Sequence, residues 1–304
     1  MGEKICGKTA TVVFQGERHF SLTPFLQMKI PLFLSLFTPV VVAGLLGLGI
    51  LGSGAQLRDG KKNQVVIKPL GKNWGASTAD VKAILNSAIK PLHSQFPDRE
   101  FPTITVEPKG GPIVLYKRGP EGENRVRLNV NGPFWSQYAY QFSHEFCHIL
   151  CNYKEGSNWN LWFEEAICEM ASLYSLRRMG ETWATDAPYP NWTSYRTSLT
   201  GYANKLIDGT EIPEDLSKWF QTHREALRKT GTDRPKNRVV AKAMLPIFEA
   251  EPKLWGAVAY LNSVPDREVD FLDFLRDWQA AAPKKYWGGI AKVAALFRVK
   301  LLGE

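Results

Sequence analysis

The stretch Tyr140-Gln-Phe-Ser-His144-Glu145-Phe-Cys147-His148-Ile-Leu150, followed across a short loop by Leu161-Trp-Phe-Glu164-Glu165-Ala-Ile-Cys168-Glu169-Met-Ala171, decides how this chain is read. Asn131-Gly132-Pro133 opens the first of two long helices, with the proline tolerated in its first turn, and the helix is expected to run to about Tyr153. The second is expected from about Trp159 to Met179. Residues four apart lie one above the other on a helix, so His144 and His148 present both imidazoles to one side. A borderline-soft cation such as zinc takes one nitrogen from each at about 2.0–2.1 Å. Glu145, next to the first histidine, is not needed for coordination. Its carboxylate can lie beside a water on the metal and accept its proton, the work of a general base.

Two histidines leave a catalytic zinc one protein ligand short. The pattern H-E-x-x-H-x-x-G-x-x-H would supply a third histidine, but Cys151 stands where its glycine belongs and Lys154 where its histidine belongs. The second helix instead carries Glu165 and Glu169 one turn apart in a segment apolar nearly all round. Carboxylates buried there need a cation or a donor beside them. Glu165 as third ligand, with Glu169 holding the far nitrogen of a ligand imidazole, meets that need. Glu164 is the rival third ligand, since one step along a helix turns a side chain by about 100°.

Outside these helices, the chain of 304 residues is 44% hydrophobic, 12% aromatic and 22% charged, a globular balance that excludes a disordered chain. Its net charge is +8, without the basic runs interleaved with aromatics that nucleic-acid binding uses, so no nucleic-acid partner is expected. Ile30 to Leu57 contains no charged residue, and about 20 apolar residues suffice to cross a bilayer. Residues 1–57 are therefore expected to be a targeting region. Its hydrophobic segment, about 30–55, acts either as a signal peptide, starting at Met28 and cut after Ala55, or as an uncleaved membrane anchor. Either way the remainder is exported: secreted, periplasmic, or held at the membrane outside the cytoplasm.

Residues 58–180 read as an α/β unit. Gln64–Leu70, Thr103–Val106, Ile113–Tyr116 and Val126–Val130 are strand-like, and the short turns among the last three predict antiparallel neighbours. An amphipathic helix is expected from about Ser77 to Phe96, with Pro91 kinking it or ending it near Ile89. Residues 181–304 turn almost wholly helical, with candidate helices near 194–208, 213–229, 238–250, 253–262, 267–281 and 285–299. The fold class is thus α+β, a small, mostly antiparallel sheet with an active-site helix, followed by an all-helical half. Cys147, Cys151 and Cys168 are read as small residues at helix contacts, with a disulfide from Cys168 to Cys147 or Cys151, or a cysteine-containing metal site, as the alternatives.

His144-Glu-x-x-His148 followed by Trp162-Phe-Glu-Glu165-Ala resembles the gluzincin metallopeptidases, the clan of thermolysin and the zinc aminopeptidases. The resemblance implies a zincin-like fold holding one Zn2+. His144, His148 and Glu165 match the metal ligands, Glu145 the general base and Glu169 the acidic position behind them. It also implies that the last strand before the first helix, Val126–Val130, is the edge along which extended substrate pairs. The chain departs from the clan in carrying Glu164 where relatives have Asn, and in lacking a G-x-M-E-N-like element. The expected activity is zinc-dependent hydrolysis of a peptide or protein substrate. The alternatives are a non-catalytic, zinc-stabilised envelope or binding protein, and a basic membrane-tethered adaptor without metal. For the group that steadies the developing oxyanion, Tyr189, Tyr195, Tyr202 and His223 are the candidates.

Overall fold

Ser77 caps the first helix among the described residues: its hydroxyl accepts the amide of Asp80 at 3.0 Å, as its place before an amphipathic run predicts. The computed structural model describes residues 64–265 and 267–302. The targeting region, its 30–55 segment included, lies outside them. No helix among the described residues is long and apolar enough to cross a membrane. Helix α1 (Thr78–His93) buries Val81, Ile84, Leu85, Ala88, Ile89 and Leu92, the stripe expected of helical spacing. It runs past Pro91, contrary to the expectation of an earlier end. The proline falls in the last turn, where its missing N–H removes a single bond.

The architecture is α+β, rich in helix. Strands β1 (Ile67–Pro69), β2 (Ile104–Glu107), β3 (Ile113–Val114) and β4 (Asn124–Arg127) form one sheet in the order β1-β2-β4-β3. β1 pairs parallel to β2, β2 parallel to β4, and only β3 to β4 is antiparallel. The sheet is therefore mixed, and the expectation of mostly antiparallel neighbours is corrected. The short connection after β2 does not form a hairpin. It carries the chain across the end of β4, and β4 then inserts between β2 and β3. Gly111 permits the crossing, because a Cβ there would overlap the backbone carbonyl of Arg127. A second correction follows: β4 is interior, and the edge strand on that side is β3.

Helices α2 (Trp135–Leu150) and α3 (Leu161–Thr182) are the centre of the molecule. α2 packs on α1, α3 and the edge strand β3, and α3 packs on α1, α2, α4 (Arg196–Asp208), α5 (Leu216–Lys229) and α6 (Arg234–Ala250). A helix apolar on every side is buried on every side, and α3 is buried almost continuously from Trp162 to Leu176. The chain continues through a 3₁₀ stretch at Pro252–Ser263 into α7 (Phe271–Ala281) and α8 (Trp287–Ala295). Trp162 lies with its ring centroid 4.7 Å from that of Phe271 and 5.3 Å from that of Phe220, fixing the first turn of α3 against α5 and α7. The next residues in that turn are Glu164 and Glu165.

Gly111→Ala is expected to cost about 3 kcal/mol in urea unfolding, the range of a clash with backbone that cannot move aside. Gly122→Ala, in a left-handed turn with no neighbour within 4 Å, is expected to cost about 1 kcal/mol. Equal losses would mean that the β2–β3 crossing does not press on β4.

Candidate metal centre

Each charged side chain of α2 and α3 in this region is buried, so each needs a partner. His144, Glu145 and His148 of α2 and Glu164, Glu165 and Glu169 of α3 are all less than 9% exposed. His144 Nε2 lies 3.1 Å from Glu165 Oε2, and His148 Nε2 lies 3.7 Å from Glu165 Oε1. The sequence places these three side chains on two helices, and the packing of α2 on α3 brings them together. The other nitrogen of His148, Nδ1, meets Glu164 Oε1 at 2.7 Å. Asn262 Nδ2 donates to the second oxygen of Glu164 at 2.8 Å. Glu164 on Nδ1 fixes the ring so that Nε2 is the nitrogen turned toward Glu165. His144 Nδ1 is buried without a hydrogen-bond partner among the described residues.

Glu169 does not stand behind an imidazole, which corrects the sequence expectation. Its carboxylate accepts the hydroxyl of Tyr140 at 2.5 Å and pairs with Arg238 Nε of α6 at 2.6 Å. The acid behind His148 is Glu164, expected only as a rival ligand. The reason is rotational: one residue before Glu165 turns the side chain about 100° around α3, onto the far side of His148. Four residues after it, the helix has climbed a turn and faces α6 instead.

Glu145 is the one carboxylate of these four with no hydrogen bond or ion pair among the described residues. It lines a small cleft of about 30 Å³ with His144, His148 and Glu165. The cleft is walled by Pro112, Ile113 and Val114 of the edge strand, by Tyr153, and by Thr232 and Arg234 at the start of α6. Burial pushes the Glu145 carboxyl above its usual range, against the opposing charges of His144 and His148. Burial opposes a charge on His148 as well, yet Glu165 and Glu164 outweigh it and raise that imidazole well above its ordinary value. Glu165 is held below the carboxylate range: burial works against this, and the charges of His148 and His144 overcome it.

His144 and His148 each approach the Glu165 carboxylate, through different oxygens, at 3.1 and 3.7 Å. Among the described residues, the group around these histidines whose ligand atoms all lie within 4.8 Å of one another is His144, His148 and Cys168, all buried, and it could hold a metal ion. Cys168 is not part of the cleft wall. Cys147, Cys151 and Cys168 are free, buried thiols, and no disulfide joins them.

Sequence reasoning missed the far wall of the cleft. None of Tyr189, Tyr195, Tyr202 and His223 lines it, and His223 Nδ1 is held by the Trp219 carbonyl at 2.8 Å. The polar groups present are Tyr153, Thr232 and Arg234. Tyr153 donates its hydroxyl to the Leu115 carbonyl at 2.8 Å. Arg234 has no hydrogen-bond or ion-pair partner among the described residues. Asp233, whose carboxylate accepts the amide of Lys236 at 3.3 Å, with Pro235 just inside the helix, is the start signal that places Arg234 at the mouth of α6.

Glu169→Ala is expected to destabilise the fold by about 3 kcal/mol, because it strands Arg238 in a largely buried position. Its zinc affinity, by competition with a chromophoric chelator, is expected to stay within twofold. A hundredfold weaker affinity with unchanged stability would restore Glu169 to the metal site.

No protein-family model matches the chain, and no curated protein or solved structure matches it either.

Proposed function

We propose that this chain is a zinc-dependent peptidase whose catalytic part works outside the cytoplasm. The observation that carries the reading is the approach of His144 Nε2 and His148 Nε2 to the two oxygens of Glu165, beside a Glu145 with no hydrogen-bond or ion-pair partner among the described residues, at the floor of a cleft. His144, His148 and Glu165 would hold the ion. When bound there, zinc lowers the pKa of a water and polarises a substrate carbonyl. Glu145 takes the proton of the attacking water and returns it to the departing amine, and its freedom from other hydrogen bonds suits that transfer. Glu164, itself fixed by Asn262, keeps His148 in the tautomer that offers Nε2.

The edge strand supplies the substrate wall. Leu115 bonds through its amide to the Arg125 carbonyl at 2.9 Å, so the alternation of an antiparallel pair turns the N–H and C=O of Val114 outward. An extended peptide can pair with that edge whatever its side chains. Arg234, facing the same cleft, supplies positive charge for the developing oxyanion, the role the sequence reading sought among Tyr and His. Export rests on the apolar segment 30–55.

The His144, His148 and Cys168 convergence favours a second reading, a closed structural zinc site without catalysis. The two readings part on the third ligand. Under the peptidase reading, Glu165→Ala lowers zinc affinity more than a hundredfold, Glu164→Ala about tenfold, and Cys168→Ser hardly at all. Under the structural reading, Cys168→Ser does the damage and Glu165→Ala little.

Cleavage of a peptide library by the full chain, with and without chelator, tests activity itself. Glu145→Gln is expected to abolish cleavage while zinc stays bound, and loss of the metal in that variant would contradict its role as base. Arg234→Ala is expected to lower kcat about a hundredfold at unchanged zinc content. An unchanged kcat would remove Arg234 from the chemistry.

A further inference from the structure

Behind the histidines lies a second convergence that the peptidase reading does not use. Cys147 lies in the last turn of α2, Cys151 caps its C-terminus four residues on, and Cys168 lies on α3. The three sulfur atoms lie within 4.8 Å of one another, and all three residues are completely buried. The scaffold around them is braced. Arg99 donates to the carbonyls of Ile149 and Leu150 at 2.7 Å each and to Asn152 Oδ1 at 2.8 Å. Asn262 donates to the Cys151 carbonyl at 3.1 Å while it also holds Glu164. The end of α2, which carries two of the thiols, is thus tied from two directions.

We propose that Cys147, Cys151 and Cys168 form a second metal site, a three-sulfur pocket for Cu(I). Thiolate donors select soft ions. Zinc in a closed protein site takes four ligands, and among the described residues the group offers three, a number that suits Cu(I). Coordination through three thiolates releases three protons to solvent; the Cu(I) charge offsets one of the three negative charges this creates, and the three copper–sulfur bonds must outweigh burying the rest. Cys168 belongs to both convergences, its sulfur lying near a ring nitrogen of each histidine as well as near the other two thiols. The copper pocket therefore stands one side chain behind the zinc site, and Cys168 is the residue through which occupancy of one is felt at the other. The inference does not depend on peptidase activity.

The test titrates the full chain, reduced and stripped of metal, with Cu(I) under anaerobic conditions against a chromophoric Cu(I) chelator. One equivalent is expected to stay bound, with a thiolate-to-copper charge-transfer band and an X-ray absorption spectrum of a sulfur-only shell. Cys147→Ser and Cys151→Ser are each expected to weaken Cu(I) retention at least a hundredfold while leaving zinc affinity within twofold. Loss of copper to the chelator by the unaltered chain, or a copper shell containing nitrogen, would overturn the proposal. So would retention that survives Cys147→Ser and Cys151→Ser but is lost in His144→Ala. The spectra of the unaltered chain decide the matter even if a serine variant fails to fold.

Discussion

Burying a carboxylate without a partner costs several kcal/mol, and α3 buries three of them in an otherwise apolar helix. That constraint organises the molecule. Glu169 is answered by Tyr140 and Arg238, which fastens α6 to the centre. Glu164 is answered by His148 and Asn262, which fastens the 3₁₀ stretch Pro252–Ser263. Glu165 is answered by the two imidazoles of α2. Each acid draws a different element onto α3, so the helical half packs around the same axis that holds the candidate metal centre. The aromatic contacts of Trp162 then fix the rotation of α3, and with it which acid meets which partner.

What the sequence reveals about this arrangement is what local periodicity can carry. The pairing of His144 with His148 follows from helix spacing, and the arrival of an acid from the next helix follows from a short loop and an apolar run. The identity of the acid behind His148 is another matter. Choosing among Glu164, Glu165 and Glu169 requires the rotation of α3 against α2, which Trp162 and its ring neighbours set from α5 and α7, more than fifty residues away in the chain. Spacing alone misplaces Glu169 for that reason.

The sheet shows the same limit. Strand positions are legible within a few residues, because alternation and turn residues are local. Strand order is not. A five-residue connection normally makes a hairpin, and here it crosses β4 instead, a choice governed by Gly111 meeting the backbone of a strand that comes later in the chain. Arg234 and Thr232 escape sequence reading too, since the cleft receives them from a helix that is distant in sequence.

Asn262 touches both the end of α2 and the acid that orients His148, although it comes some hundred residues after either. Arg234 likewise reaches the cleft from beyond α5. The centre cannot be complete until the chain has been synthesised well past residue 250 and the last third has closed over the first. If the chain has the peptidase activity proposed above, such late assembly would be a safeguard: an unfinished copy still on the ribosome would lack the clamp that readies the site.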